Sequence, residues 1–437
     1  MPAGTPAVAV QEPRLAAEQE TVDVAVVGLG YVGLPTALGF TALGKRVAGI
    51  ELSEARRASI LAGRVDLLLK DGEELLAALA NGRLEVSDDA RLIAAASVVV
   101  ICVPTPVDEH LVPDLRPLRA ACSSVAAHAR RGSLVMLTST SYVGTTRELL
   151  AQPLEARGFK VGTDVNVAFC PERIDPGPAA WPRELVPRVV GGITARCSDR
   201  AAEVTSSVCR SVHVVSSAEA AEMTKLLENS FRAVNIAFAN EVSDICNELN
   251  LDIGEVIDAA ATKPFGFMPF RPGPGAGGHC IPVDPHYLLW ELRSQHLSAP
   301  VTESAMAALS ARPHLVVERM VGILSERGIP LRGTRIVVVG VTYKPDVDDV
   351  RGSPALEIIE ELRQRGAAVS YVDSRLPRLT LGDGTTIDAE PASAIESATA
   401  VLVHTLHTNF DTSHLAHCGL VVDATYKLSG FPGRVPV

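Results

Sequence analysis

One cysteine, Cys280, stands in the glycine-dense stretch PGPGAGGHCIPVDP at residues 272–285, with a proline two residues beyond it and Asp284 two beyond that. A thiol is a useful nucleophile when it is partly ionised and reachable, and glycines let a ligand come close to the backbone. Cys280 is therefore a candidate covalent catalyst, the alternative being a small buried hydrophobe. The adjacent His279 is a poor choice of base, because neighbouring side chains in an extended loop point apart. Upstream, Lys225 and Asn229 are four residues apart in AEAAEMTKLLENSFRAVNIAFANEVSDICNELN, residues 218–250, and share one face of the helix that this periodicity predicts. A lysine beside an amide in an apolar helix can hold a developing oxyanion, whereas a lysine that snorkels to solvent would do nothing of the kind. Glu172, just past VNVAFC, is either a functional acid at a strand end or a surface charge.

Positioning such groups takes a scaffold, and the chain supplies strand-like runs that alternate with helical stretches. Residues 22–27, VDVAVV, lead straight into GLGYVG, which places Gly28, Gly30 and Gly33 in G-x-G-x-x-G spacing around Tyr31 and Val32, before an apolar helix. In that arrangement the first glycine makes the turn, the second admits a pyrophosphate and the third lets helix pack on strand. A second strand, RVAGIE, ends in Glu51 about 20 residues on, where an acid binds ribose hydroxyls and disfavours a 2′-phosphate. The cofactor expected is NAD, although Arg56 and Arg57 lie near enough to accommodate the extra phosphate of NADP. Two further strands end near Thr105 and near Ser139 and Thr140, the side of an open parallel sheet where ligands sit; hydroxyl residues there also cap helices and form turns. Beyond the Cys280 loop a second α/β unit begins with TRIVVVG. Its first loop, VTYKPDVDDVRGSP, carries Lys344 and Arg351, which can meet phosphates or simply pair with the neighbouring aspartates. The fold class expected is α/β, with two doubly wound Rossmann-like domains joined by an all-helical middle.

Composition narrows the partners. Hydrophobic residues make up 47% and charged residues 21% of the 437, which is globular, and the net charge of −11 argues against nucleic acid or an anionic membrane. The eight cysteines include no C-x-x-C pair, so neither a disulfide framework nor a zinc site is expected and a reducing cytoplasm fits best. No apolar run approaches the ~20 residues that span a bilayer, and the N-terminal 20 residues read as a disordered tail and not as a signal peptide.

Taken together, GLGYVGLP, ICVPTP, PER-x-x-PG, the 218–250 helix, TKPFGFMPF, PGPGAGGHCIPVDP and the YK…DDVR…SP loop resemble the UDP-glucose/GDP-mannose dehydrogenase family over residues 21–428. The stretch around TKPFGFMPF is most similar to the branch acting on UDP-N-acetylhexosamines. The resemblance implies an NAD-binding domain over 21–212, a central helical domain over 213–325 through which two chains pair, and a nucleotide-sugar-binding domain over 326–437. It also implies four-electron oxidation of a primary alcohol to a carboxylate through a thiohemiacetal and a thioester on Cys280, with Lys225 and Asn229 stabilising the oxyanion. Asp284, Glu172 and Thr140 would handle protons through ordered water. Arg173, Lys263, Arg271, Gly277 and Lys344 fall among the implied substrate contacts, and Arg351 lies near cofactor phosphates. Departures from the family pattern include Val143, Thr138, Arg271 and Gly352, the last two bordering the implied substrate region and leaving sugar and base open. Two rival readings are a two-electron hydroxyacid or phosphogluconate-type dehydrogenase, which needs no thiol and no third domain, and a nucleotide-sugar sensor without turnover.

Overall fold

Runs of consecutive apolar residues form strands that are buried along their whole length: β1 (Val24–Val27), β2 (Val47–Ile50), β4 (Val98–Ile101), β5 (Leu134–Leu137) and β6 (Asn166–Phe169). Such runs suit a parallel sheet covered on both faces. With β3 (Leu84–Ser87), β7 (Arg188–Gly192) and β8 (Val212–Val214) they make one eight-stranded sheet ordered β3-β2-β1-β4-β5-β6-β7-β8 in the computed structural model. The structure describes residues 22–65, 69–173, 182–428 and 431–437; the expected tail and residues 174–177 of the PERIDPG stretch lie outside the described residues. Strands β1 to β6 are parallel, and β7 turns antiparallel to β6. Along β1 the side chains alternate, Val24 and Val26 entering one core layer and Ala25 and Val27 the other.

The middle of the chain is helical: Ala218–Glu248, Ile253–Ala261, Asp284–Ser294 and Pro300–Glu326. Ser217 caps the first of these by accepting the Ala220 N–H, and Asp252 caps the second through Gly254. A five-stranded parallel sheet follows, built from β9 (Arg335–Val339), β10 (Ala368–Val372), β13 (Ala400–Val403), β14 (Val421–Asp423) and β15 (Arg434–Pro436) in the order β10-β9-β13-β14-β15. A two-stranded ribbon, β11 (Arg378–Thr380) with β12 (Thr386–Asp388), is separate from it.

The two sheets repeat one turn. Gly28 follows β1 at φ +88° and donates its N–H to Ile50 O; Gly340 follows β9 at φ +72° and donates to Val372 O. The next N–H in each case goes to an acid at the end of the neighbouring strand, Leu29 to Glu51 at 2.9 Å and Val341 to Asp373 at 2.7 Å. The second turn carries no G-x-G-x-x-G, so the pattern was visible in only one half of the chain. A Cβ on Gly33 would fall 1.8 Å from Gly28 O, and one on Gly340 would fall 1.8 Å from Thr405 O, whereas a Cβ on Gly30 meets nothing within 4 Å. Gly33→Ala and Gly340→Ala are therefore expected to destabilise the fold by at least the ~1–3 kcal/mol of an overpacked site. Thermal unfolding should show Gly30→Ala near wild type and both other variants clearly below it.

Candidate active site

Four of the expected residues come together where the long helix Ala218–Glu248 meets the start of helix Asp284–Ser294. The Cys280 carbonyl accepts the Asp284 N–H at 2.9 Å, closing a turn that holds cysteine and aspartate within one helical pitch of each other. Asn229 donates its side-chain amide to the Asp284 carboxylate, and the Lys225 charge is near enough to act on the same group. Lys225, Asn229 and Asp284 are 9%, 4% and 4% exposed, so the lysine does not snorkel. Cys280 alone of the eight cysteines is exposed, whereas burial pushes Cys170 up to about 11 and Cys102 up to about 12. Burial raises Asp284 to about 6, against the pull of Lys225 and the Asn229 hydrogen bond.

The glycines of the cysteine loop serve close packing more than open access. A Cβ on Gly277 would meet Tyr343 Cβ at 2.6 Å and Gly352 O at 2.7 Å, and the Gly278 N–H donates to Arg351 O at 3.2 Å. Gly277, expected to face the substrate, is thus fitted against the loop at 341–354 of the second α/β unit. That loop holds Lys344, half-buried, whose carbonyl accepts from Thr342. At the base of the cysteine loop, Gly273 is held from both sides: its N–H donates to Asn240 at 2.9 Å, and its carbonyl accepts from the buried Arg312 at 3.1 Å.

Arg351 carries the second unit across to the first. Its guanidinium pairs with Asp349 at 2.7 Å and lies 5.8 Å from the Tyr31 ring of the G-x-G-x-x-G loop. Within that loop no side chain caps the helix Gly33–Ala42 at Val32, and the space beside Gly30 is open, so backbone N–H groups and room coincide where a pyrophosphate would lie. Glu51 accepts from Leu29 N–H and Ser53 N–H, one on each oxygen, which leaves acceptor capacity for ribose hydroxyls. Arg56 donates through Nε to Leu29 O at 3.1 Å, and Arg57 is committed to the Glu51 and Leu52 carbonyls and to Asp88. The residues present fit a bound NAD.

Other expected residues are placed less directly. Thr140 is half-buried just past β5, and Thr105 lies past β4 beside the hydroxyl of the buried Tyr287. Ser139 donates its hydroxyl to Val103 O at 2.8 Å and so ties the ends of β4 and β5 together. The Glu172 carboxylate is paired with Arg188 at 2.5 Å, in a pocket shared with Thr138 and Cys170, and Arg173 pairs with Glu228. Lys263 and Arg271 make their contacts elsewhere, Lys263 over the Phe265 ring at 4.9 Å and Arg271 with Asp258, both on exposed surface.

Sequence reasoning missed two acids. Glu222 and Glu291 cap the turn that follows Thr140, and burial pushes Glu222 up to about 7 against the donors that hold it. A signal existed: Glu222 stands three residues before Lys225 and seven before Asn229, on the same helix face. For Asp284 the raised value means that the folded chain holds this proton more tightly than the unfolded chain, so its contribution to stability falls as pH rises from about 4 to about 6. The melting temperature of Asp284→Asn relative to wild type should therefore climb across that window and level off above it; a flat difference would contradict the assigned burial.

Comparison with known proteins agrees with this geometry. Residues 22–208 match the NAD binding domain of the UDP-glucose/GDP-mannose dehydrogenase family, residues 219–308 its central domain and residues 337–428 its UDP binding domain. An NDP-N-acetyl-D-galactosaminuronic acid dehydrogenase of Ralstonia solanacearum is 36% identical over 406 residues, covering 90% of this chain and 93% of its own. A UDP-N-acetyl-D-mannosamine dehydrogenase of Escherichia coli K12 is 33% identical over 417 residues, covering 92% and 98%. Among solved structures, a UDP-D-ManNAc dehydrogenase from Pyrococcus horikoshii superposes with a TM-score of 0.84 at 28% identity, covering 95% of this chain and 98% of that one. With all three of its domains matched in order around an NAD crevice and a cysteine loop, the chain belongs to the UDP-glucose/GDP-mannose dehydrogenase family.

Proposed function

We propose that this protein oxidises the C6 primary alcohol of a nucleotide-activated hexose to the carboxylate, in two NAD-dependent steps joined by a covalent intermediate on Cys280. The observation that carries the reading is the cluster of an exposed Cys280 with the buried Lys225, Asn229 and Asp284. NAD, held at the Gly28–Gly33 turn with Glu51, would supply the hydride acceptor for each oxidation. Loss of the hydroxyl proton and the first hydride leaves an aldehyde, whose carbon forms a bond to the Cys280 sulfur and whose oxygen becomes the thiohemiacetal oxygen. Lys225 and the Asn229 amide stabilise negative charge on that oxygen. The second oxidation leaves a thioester, and water breaks its C–S bond, releasing the carboxylate and the thiol. Asp284, with its raised proton affinity, takes and returns protons near neutral pH. Thr140 and Glu172 contribute through ordered water, with Arg188 holding the glutamate.

The relatives named for N-acetylated hexosamines favour a sugar of that class on a nucleoside diphosphate, held by the C-terminal unit with Lys344 and the neighbouring loop. A thiol nucleophile among cysteines that form no disulfide suits a reducing cytoplasm, and no helix of the described residues is long and apolar enough to cross a membrane. The long helix exposes an apolar stripe of Met223, Leu227, Phe231, Phe238 and Ile245, continued by Leu249 at its C-cap, with Leu227 and Phe238 58% and 59% exposed. We read this stripe as the face on which two copies pair, which also brings the exposed 263–271 segment, with Lys263 and Arg271, toward a second chain.

Two tests follow from this reading. Offered UDP-N-acetylmannosamine, UDP-N-acetylgalactosamine, UDP-glucose and dTDP-glucose separately, the enzyme should form two NADH per sugar on one of them, and Cys280→Ser should bind that sugar without completing the oxidation. One NADH per sugar would favour a two-electron dehydrogenase, and binding without NADH would favour a sensor. Analytical ultracentrifugation should give a dimer for the wild type and a monomer for the double variant Phe231→Asp, Phe238→Asp; a wild-type monomer would remove the paired-helix reading.

A further inference from the structure

The turn at residues 143–146 comes three residues after Thr140, and three of its four backbone N–H groups end on carboxylates from two other elements. Glu222, 1% exposed on the long helix, accepts the Gly144 N–H at 2.6 Å, the Thr146 N–H at 2.8 Å and the Thr146 hydroxyl at 2.6 Å. Glu291, on helix Asp284–Ser294, accepts the Val143 N–H at 2.9 Å. Each acid stands seven residues, two helical turns, from a member of the cysteine cluster: Glu222 from Asn229 and Glu291 from Asp284. The two helices are thus joined directly by Asn229 and Asp284, and again through one shared turn of the NAD-binding domain. Around that turn, Tyr142 packs edge-on to Trp290 at 5.6 Å, and Arg147 pairs with Glu219 at 2.8 Å on its outer side.

We propose that Glu222, with Glu291 as a second hold, is a positioning residue that sets the Thr140 segment in register against Lys225, Asn229 and Asp284. The inference rests on the part assigned above to Thr140. The turn leads into a helical segment, Arg147–Ala151 and Gln152–Ala156, and such N-termini are ordinarily capped by a residue of their own segment, which stabilises the helix but fixes nothing else. Here the caps come from the two helices that carry the cluster, so the position of the loop is set by the same rigid bodies that place the reacting groups. A carboxylate with three donors has no good neutral replacement: a glutamine keeps one acceptor and turns an NH2 group toward a buried N–H.

The test is a double-mutant cycle between Glu222→Gln and Thr140→Ala. Glu222→Gln is expected to lower kcat by about tenfold or more while KM for the nucleotide sugar changes by less than about threefold. In the Thr140→Ala background the same substitution should lower kcat by less than about twofold, because the residue through which it acts is already gone. An equal loss in both backgrounds, or a loss confined to Glu222→Gln with Thr140→Ala fully active, overturns the proposal. Should Glu222→Gln fail to fold, Glu291→Gln and Glu222→Asp enter the same cycle and are judged by the same coupling. None of these outcomes touches the NADH stoichiometry or the Cys280→Ser result, so failure of the positioning role and failure of the proposed reaction are read separately.

Discussion

The hydrogen bond between Asn229 and the buried Asp284, with Lys225 beside it, is the contact on which the site depends. Burying a carboxylate without partners is costly enough that the group would simply stay protonated. Here burial raises Asp284 to about 6, while the lysine and the amide keep an ionised form accessible. That compromise links an otherwise ordinary amphipathic helix to the turn that presents Cys280. It also explains why the lysine is 9% exposed and does not reach for solvent: its partner is inside.

The same economy governs the loops. A glycine-dense segment invites the expectation of open access, yet Gly275, Gly277 and Gly278 are occupied by Pro354, Tyr343 and the Arg351 carbonyl. Their lack of side chains lets the cysteine loop dock on the C-terminal unit, and Arg351 carries the contact on to Tyr31 in the dinucleotide loop. The Cys280 thiol is therefore located by three parts of the chain at once, and it stays exposed while its flanking glycines are packed. Function here lives where the domains meet, and no one of the three sheets and helix layers contains it.

How much of this was legible follows from which signals are local. The buried strands and the long helix announce themselves by runs and periodicity, and the helix observed at Ala218–Glu248 falls within the 218–250 read from the pattern. Gly28 and Gly33 were legible because the turn itself demands glycine, and Gly30 because the spacing reserves room for a pyrophosphate. The reversal of β7 was not, since pairing direction is decided by partners distant in sequence, and the β11–β12 ribbon was not because its three-residue strands are too short to show a period. Nor was the fate of Glu172, because Arg188 lies 16 residues away on a strand whose antiparallel return no local pattern encodes. Glu222 and Glu291 were hidden for a different reason: helix periodicity shows which residues share a face, but not that a backbone turn from another domain lies against it.

The two sheets show what can be built from one turn when its surroundings change. Gly28 and Gly340 make the same bend, and Glu51 and Asp373 answer the same following N–H. Glu51 takes one backbone donor on each oxygen and so keeps acceptor capacity, which is what the ribose hydroxyls of a dinucleotide require of an acid at this position. Asp373 is surrounded: Val341, Arg375 and Leu376 donate backbone N–H groups to it, His407 approaches both oxygens at 3.2 Å, and it is buried. A carboxylate has about four acceptor positions, and those donors fill them. The second crevice therefore keeps the geometry of a dinucleotide turn after its acid has been turned inward to brace the domain. Any nucleotide that the C-terminal unit holds must be gripped by groups outside that turn, and the loop at 341–354 that carries Lys344 is the one packed against Gly277 and Gly278 of the cysteine loop.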